Sequence, residues 1–324
     1  MRDAQGRRPA WLARRAGGGA GGAHGLQARR RRRHPHLLCQ AGGGVDGGLM
    51  SDHYAVIGNP IAHSKSPQIH AAFARQTGQR MDYGRILGSL EDFAGDVRAF
   101  VADGGRGLNV TVPFKQEAWA LLADRSERAA AAGAVNTILV LDDGRLRGDN
   151  TDGIGLVRDL RDNHGFDCTG QRVLLLGAGG AARGVLGALL EASPAALTIA
   201  NRTPAKALAL AQGVAATAVD GCGLDDLAGR AFDLIINATS SGLDGEVPAL
   251  PHGLLAADAW VYDLVYGDAP TPFCRWGEAQ GAARALDGLG MLVEQAAESF
   301  RLWRGVRPDT APVIAMLRGA AASR

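Results

Sequence analysis

The chain of 324 residues is long enough for one large or two medium domains, and its 46% hydrophobic and 21% charged residues are ordinary for a globular protein. No uninterrupted apolar run approaches the roughly 18 residues of a membrane span, and the longest candidate, Ala129–Leu141, is broken by Asn136 and Thr137. Cys39, Cys168, Cys222 and Cys274 form no C-x-x-C pair and the histidines no H-x-x-x-H pair, so reduced thiols are expected and a metal site has no support.

The net charge of +2 hides an asymmetry. Residues 1–49 carry ten arginines against Asp3 and Asp46, a net of +8, which leaves 25 basic and 31 acidic side chains after them, a net of −6. The acidic body is not expected to bind nucleic acid. The first segment is rich in Gly, Ala and Arg, holds five consecutive arginines at Arg29–Arg33, and has no Ser or Thr. With no period and no core it reads as a disordered or non-native basic extension. A transit peptide would be Ser-rich, and a secretory signal would need an apolar stretch of about 7–15 residues. Met50-Ser-Asp-His-Tyr-Ala-Val-Ile-Gly instead reads as a natural start running straight into a strand. A cytoplasmic protein with no membrane contact is expected; a homodimer is compatible with the sequence.

From Met50 onward short apolar runs alternate with helical patterns, the sign of an α/β fold with a mostly parallel sheet. The spacing predicts a strand over His53–Gly58, a helix over Pro67–Gln76, a strand over Asp82–Leu87 and a helix over Leu90–Asp103. A strand over Gly107–Val112 ends at Pro113, and Lys115–Leu122 begins the next helix. Ala134–Leu141 and Arg145–Gly148 form a hairpin around Asp142-Asp143-Gly144, followed by a helix over Asp152–Asn163. A second unit opens with the apolar strand at Val173, then a helix to Glu191 and a strand at Leu197–Ala200. Further strands are predicted at Phe232–Asn237 and Trp260–Leu264, and a final helix at Leu289–Trp303. The boundary between units falls near residue 152, with the last helices packing back on the first.

Gly177-Ala178-Gly179-Gly180-Ala181-Ala182 matches G-x-G-x-x-[G/A], directly after an apolar strand and at the opening of a helix. Such glycines permit a tight turn and let backbone N–H groups approach a pyrophosphate at the positive end of the helix. A nicotinamide dinucleotide without a 2′-phosphate calls for an acid at the end of the second strand. Here that strand ends in Asn201-Arg202-Thr203, with Lys206 one turn on. Two cations and no carboxylate favour NADP, unless Arg202 merely ends its strand in solvent.

Three polar clusters sit in loops after predicted strands, where open α/β sheets place ligands. In Asn59-Pro60-Ile61-Ala62-His63-Ser64-Lys65-Ser66-Pro67, the two hydroxyls either hold a carboxylate, or Ser66 simply caps the helix with Pro67 behind it. In Leu108-Asn109-Val110-Thr111-Val112-Pro113-Phe114-Lys115, Asn109 and Thr111 share a face of the strand. Lys115 opens a helix, where a cation opposes the dipole, so it is either a solvated lysine or a functional one. In Gly148-Asp149-Asn150-Thr151-Asp152-Gly153, Asp152 either favours the helix start or pairs with Lys115. A carbonyl reductase needs a proton donor beside its hydride acceptor, and a Lys–Asp pair supplies one. Spacing alone does not bring the two together.

These stretches, together with Gly133-Ala-Val-Asn-Thr137, Tyr262-Asp-Leu-Val-Tyr266 and Asp287-Gly-Leu-Gly-Met-Leu-Val-Glu-Gln295, resemble the shikimate dehydrogenase family in unbroken order over about residues 50–315. The resemblance implies reversible reduction of 3-dehydroshikimate to shikimate with NADPH, the fourth step of the aromatic amino-acid (chorismate) route. It implies that Ser64 and Ser66 hold the substrate carboxylate. Thr111, Asn136, Asp152, Tyr266 and Gln295 are implied to make the remaining substrate contacts. Lys115 is implied as the proton donor and acceptor, with Asp152 beside it. Gly177, Ala178, Gly179, Gly180, Ala181, Asn201, Arg202, Thr203, Lys206, Leu264 and Gly288 are implied to wall the cofactor. Where the family often has an arginine four residues after Arg202, this chain has Lys206, which keeps the charge and loses the planar fork.

The implied organisation is a substrate-binding α/β domain at residues 50–151, a Rossmann-type NADP domain at 152–288, and C-terminal helices at 289–324 returning to the first. Two rivals are a quinate/shikimate dehydrogenase using NAD and a non-catalytic relative that senses metabolites. The first tends to carry an acid after the second strand and to lose one serine, which this chain does not. The intact Lys115 and Asp152 speak against the second.

Overall fold

The computed structural model describes residues 51–214, 218–239 and 247–322, all within one packed unit. The expected disorder of residues 1–49 lies outside the described residues. Two six-stranded sheets organise the rest. The first is built from β1 (Asp52–Gly58), α1 (Ser66–Thr77), β2 (Met81–Leu87), α2 (Phe93–Ala102), β3 (Gly105–Val110), α3 (Lys115–Leu121), β4 (Asp124–Arg125), α4 (Glu127–Ala132), β5 (Thr137–Val140) and β6 (Leu146–Asp149). Its order is β2-β1-β3-β5-β6-β4. β1 runs parallel to β2 and β3, whereas β5 is antiparallel to both β3 and β6. The predicted hairpin is what makes this sheet mixed rather than mostly parallel.

α5 (Asp152–Arg158) links the sheets and widens into a π-helical turn at Asp159–Asn163, so the predicted single helix changes geometry midway. At that turn the buried Asp159 accepts from Tyr262 OH at 2.6 Å and from Asn163 Nδ2 at 2.9 Å. Hydrophobic periodicity does not register such a widening of the helix.

The second sheet comprises β7 (Arg172–Leu176), α6 (Gly180–Glu191), β8 (Ala196–Ala200), α7 (Pro204–Gln212), β9 (Val219–Cys222), β10 (Phe232–Asn237), β11 (Leu255–Asp263), α8 (Pro272–Ala279) and β12 (Arg284–Asp287). Its order, β12-β11-β10-β7-β8-β9, is parallel throughout. That is the doubly wound dinucleotide-binding order, whose direction reverses between β7 and β10. The uninterrupted Val173-Leu-Leu-Leu176 follows from cover on both faces. Val173 and Leu175 pack with α6 residues Val185 and Leu189, while Leu174 and Leu176 join Val261 and Phe273 on the opposite face.

α9 (Leu289–Arg304) and α10 (Ala311–Ala322) return to the first sheet. Val293, Ala297 and Phe300 of α9 and Val313 and Leu317 of α10 bury Ile69 and Phe73 of α1. Trp303 donates its Nε1–H to Ile138 O at 3.0 Å, fixing the end of α9 to β5.

Candidate active site

Asp152 sits where the loop ends of the first sheet meet helix α6 of the second. Lys115 Nζ donates to Asp152 Oδ2 at 2.6 Å, with the carboxylate side chain only 9% exposed and the lysine 26%. The placement resolves the electrostatic oddity of a cation opening α3. Its counter-charge sits in the first turn of α5, where a carboxylate is favoured by the dipole. Phe114, fully buried and stacked on Phe93 at 5.0 Å, anchors the backbone from which Lys115 projects.

The second carboxylate oxygen is also held. Asn136 Nδ2 donates to Asp152 Oδ1 at 2.8 Å and to Gln295 Oε1 at 3.3 Å. Its own Oδ1 accepts from Thr151 N at 2.9 Å. Gln295 comes from α9, so the helix that returns to the first sheet closes this ring of polar groups. Behind it, Asn109 Oδ1 accepts from Tyr83 OH at 2.6 Å and Asn109 Nδ2 donates to Ser299 Oγ at 3.0 Å. Asn109 is thus a buried support, while Thr111, one residue beyond β3, is half-buried.

Ser64 and Ser66 lie together, their Oγ atoms 3.2 Å apart. The helix-cap alternative for Ser66 does not hold: it is the first residue of α1, and its backbone N–H donates to Ser64 Oγ at 3.3 Å. Arg85 of β2 donates through Nε to Ser64 O at 3.1 Å and locks the loop. Lys65, between the serines, reaches Asp268 at 3.4 Å beyond β11 and lies 6.0 Å from the Tyr266 ring centroid. Burial pushes the Tyr266 hydroxyl further above neutrality than in an ordinary tyrosine.

The glycine loop lies at the switch between β7 and β10. Gly177 has φ +106°, and a Cβ there would come within 3.0 Å of Ala238 O, so only glycine makes this turn. Gly179 and Gly180 have open space where a side chain would be, at the start of α6, the end of a helix that favours an anion. A cleft of about 420 Å³ runs over them, lined by Gln116, Ala178, Gly179, Gly180, Arg183, Ala205, Lys206 and Ala209. Asn201 Nδ2 donates to Thr203 O at 3.0 Å and shapes the turn after β8. Arg202 and Lys206 are exposed and make no ion pair among the described residues. Leu264 and Gly288 meet just past the ends of β11 and β12, where Gly288 leaves no room for a Cβ against Leu264 O.

Sequence reasoning did not single out Tyr83, Arg85, Thr151, Ser299, Gln116 or Arg183. Arg183 had a visible signal, a cation one turn into the helix of the glycine loop. The others are ordinary polar residues until the packing brings them in.

Family models match in three places. They are the shikimate dehydrogenase substrate binding domain over residues 56–138, shikimate / quinate 5-dehydrogenase over 160–243, and the shikimate 5′-dehydrogenase C-terminal domain over 288–318. Shikimate dehydrogenase (NADP(+)) of Alkalilimnicola ehrlichii is 61% identical over 270 residues, covering 83% of this chain and 99% of that protein. Among solved structures, an Ael1 enzyme from Pseudomonas putida is 50% identical with a TM-score of 0.79, covering 82% of this chain and 98% of that one. Shikimate 5-dehydrogenase from Thermus thermophilus, in complex with NADP(H) and shikimate, is 36% identical with a TM-score of 0.74, covering 83% and 99%. A mixed sheet joined to a doubly wound one, a Lys–Asp pair at their meeting and this depth of likeness agree: the chain belongs to the shikimate dehydrogenase family.

Proposed function

We propose that this chain catalyses the reversible, NADP-dependent interconversion of shikimate and 3-dehydroshikimate in the cytoplasm. The observation that carries the reading is the Lys115–Asp152 contact of 2.6 Å beside a ring of fixed hydrogen-bonding side chains. In this reading residues 50–151 bind the substrate, residues 152–288 bind the cofactor, and residues 289–324 complete the substrate side through Gln295.

NADP, when bound, supplies or accepts the hydride. The residues present suit it: an open backbone cradle at Gly179 and Gly180, and Arg202 and Lys206 free to meet a 2′-phosphate. Ala178 and Ala181 border the same loop, and Thr203, Leu264 and Gly288 complete the wall. On the substrate side, Ser64 and Ser66 hold the carboxylate with two hydroxyls, and Tyr266 approaches from the opposite rim. Thr111, Asn136 and Gln295 meet the ring hydroxyls. Asn136 and Gln295 can do so by exchanging the mutual bonds described above for bonds to the ligand. Lys115 takes the proton from the C3 hydroxyl as the alcohol is oxidised and returns it in reduction. Asp152 keeps the ammonium aimed and balances its charge. With Asn136 fixing Oδ1, the carboxylate has one orientation in which Oδ2 faces Lys115.

Initial rates on shikimate and on quinate, each with NADP and with NAD, test the proposal. The expected result is fastest turnover on shikimate with NADP. Equal or faster turnover on quinate, or with NAD, would assign the chain to the rival activity.

A further inference from the structure

The helix that follows the glycine loop also touches the proton-handling pair. α5 and α6 cross at two glycines. A Cβ on Gly153 would lie 2.8 Å from Ala188 Cβ and 2.9 Å from Gly184 O, so the two backbones are in direct contact there. From the other side, a Cβ on Gly184 would lie 3.1 Å from Asp152 Oδ2, 3.5 Å from Asp152 Cβ and 3.6 Å from Asn150 Nδ2. Oδ2 is the oxygen that accepts from Lys115 Nζ at 2.6 Å. The carboxylate has little freedom to move aside, because Oδ1 accepts from Asn136 Nδ2 at 2.8 Å and the Asp152 N–H donates to Asn150 Oδ1 at 3.1 Å.

We propose that Gly184 is a positioning residue for the reaction, an inference that rests on the roles of Lys115 and Asp152 given above. Its missing side chain lets α6 back directly onto the carboxylate, so Oδ2 has room for the Lys115 ammonium. Bare backbone covers the third side of Asp152, whose side chain is only 9% exposed. The seat of the cofactor loop and the aim of the proton carrier are therefore one packing arrangement, joined through Gly184.

A methyl group at this position has to displace Oδ2 by a few tenths of an ångström, and with it the Lys115 contact. Helix propensity opposes any loss, since alanine is favoured over glycine inside a helix. Gly187, three residues on in α6, supplies the control: it is exposed, and nothing lies within 4 Å of a Cβ there.

The test measures kcat, KM for shikimate and the NADP dissociation constant on the full chain, with rates expressed per titrated NADP site so that unfolded protein is not counted. Gly184→Ala should lower kcat about tenfold, as expected for a small misplacement of a reacting group, with KM and NADP affinity within about twofold of the parent. Gly187→Ala should match the parent in all three. The melting temperature should fall in Gly184→Ala but not when the same change is made in Asp152→Ala, where the opposing carboxylate is gone. If Gly184→Ala does not fold, the Asp152→Ala/Gly184→Ala protein should.

Unchanged kcat in Gly184→Ala, a loss confined to NADP affinity, or an equal melting penalty in both backgrounds would overturn the role of Gly184 while leaving that of Lys115 intact. A double variant that stays unfolded would do the same. Parent enzyme without shikimate turnover would instead refute the reading beneath it.

Discussion

The two sides of the cleft are built by opposite means. Around Asp152, side chains from the starts of β5 and α5 and from α9 satisfy one another: Asn136, Thr151, Asp152 and Gln295 form one hydrogen-bonded group. Around Gly177 the material is backbone and cations without ion pairs among the described residues, with open space over Gly179 and Gly180 and exposed Arg202 and Lys206. The difference matches the ligands each side is proposed to take. A small polyol is told from its neighbours only by fixed donors and acceptors that would be left unpaired by the wrong one. A phosphate needs charge and N–H groups at a helix start, which tolerate more freedom.

The two sides therefore respond differently to mutation and to acid. On the cofactor side the expected effect is on binding. Arg202→Ala should weaken NADP binding roughly tenfold to a hundredfold, the range for losing a hydrogen bond to a charged group, while NAD affinity stays nearly constant. Titration of the variant with both nucleotides checks it, and equal losses would mean that Arg202 does not read the 2′-phosphate.

A smaller effect is expected from acid, and on the substrate side. His70 of α1 is wholly buried, stacked 4.2 Å from the Tyr83 ring and surrounded by Phe73, Phe300 and Trp303. Burial pushes its imidazole down to about 3 from the usual 6.5. The unfolded chain binds the proton at higher pH than the folded one, so stability is full above 6.5 and drains as pH falls from there toward 3. His70→Phe should therefore flatten the fall in melting temperature between about pH 7 and pH 4. An unchanged slope would show that other groups govern the acid response.

The same contrast explains how far the sequence could be read. The second sheet announces itself, because a strand buried on both faces is a continuous apolar run and the turn at Gly177 admits no other residue. The first sheet is harder. β4 is two residues long and α4 six, too short to show a period. α2 begins at Phe93 rather than at Leu90, because Asp92 caps it by accepting from Gly95 N at 2.8 Å. Residues that meet at the site were visible as candidates, since Lys115 and Asp152 each sit at a loop end after a strand. Their meeting was not visible. It depends on how β3 and β6, separated by β5, deliver two helices to one point. Gly184 gives no sequence signal at all, because its meaning is an absence of atoms opposite a residue 32 positions earlier in the chain.

The central claim is that Lys115, held by Asp152, moves the proton. Turnover and shikimate binding in Lys115→Ala test it most directly. The account predicts a fall in turnover of about 10²–10⁴-fold, the usual worth of a positioned acid–base group, with shikimate affinity nearly unchanged. Turnover close to that of the parent would contradict it.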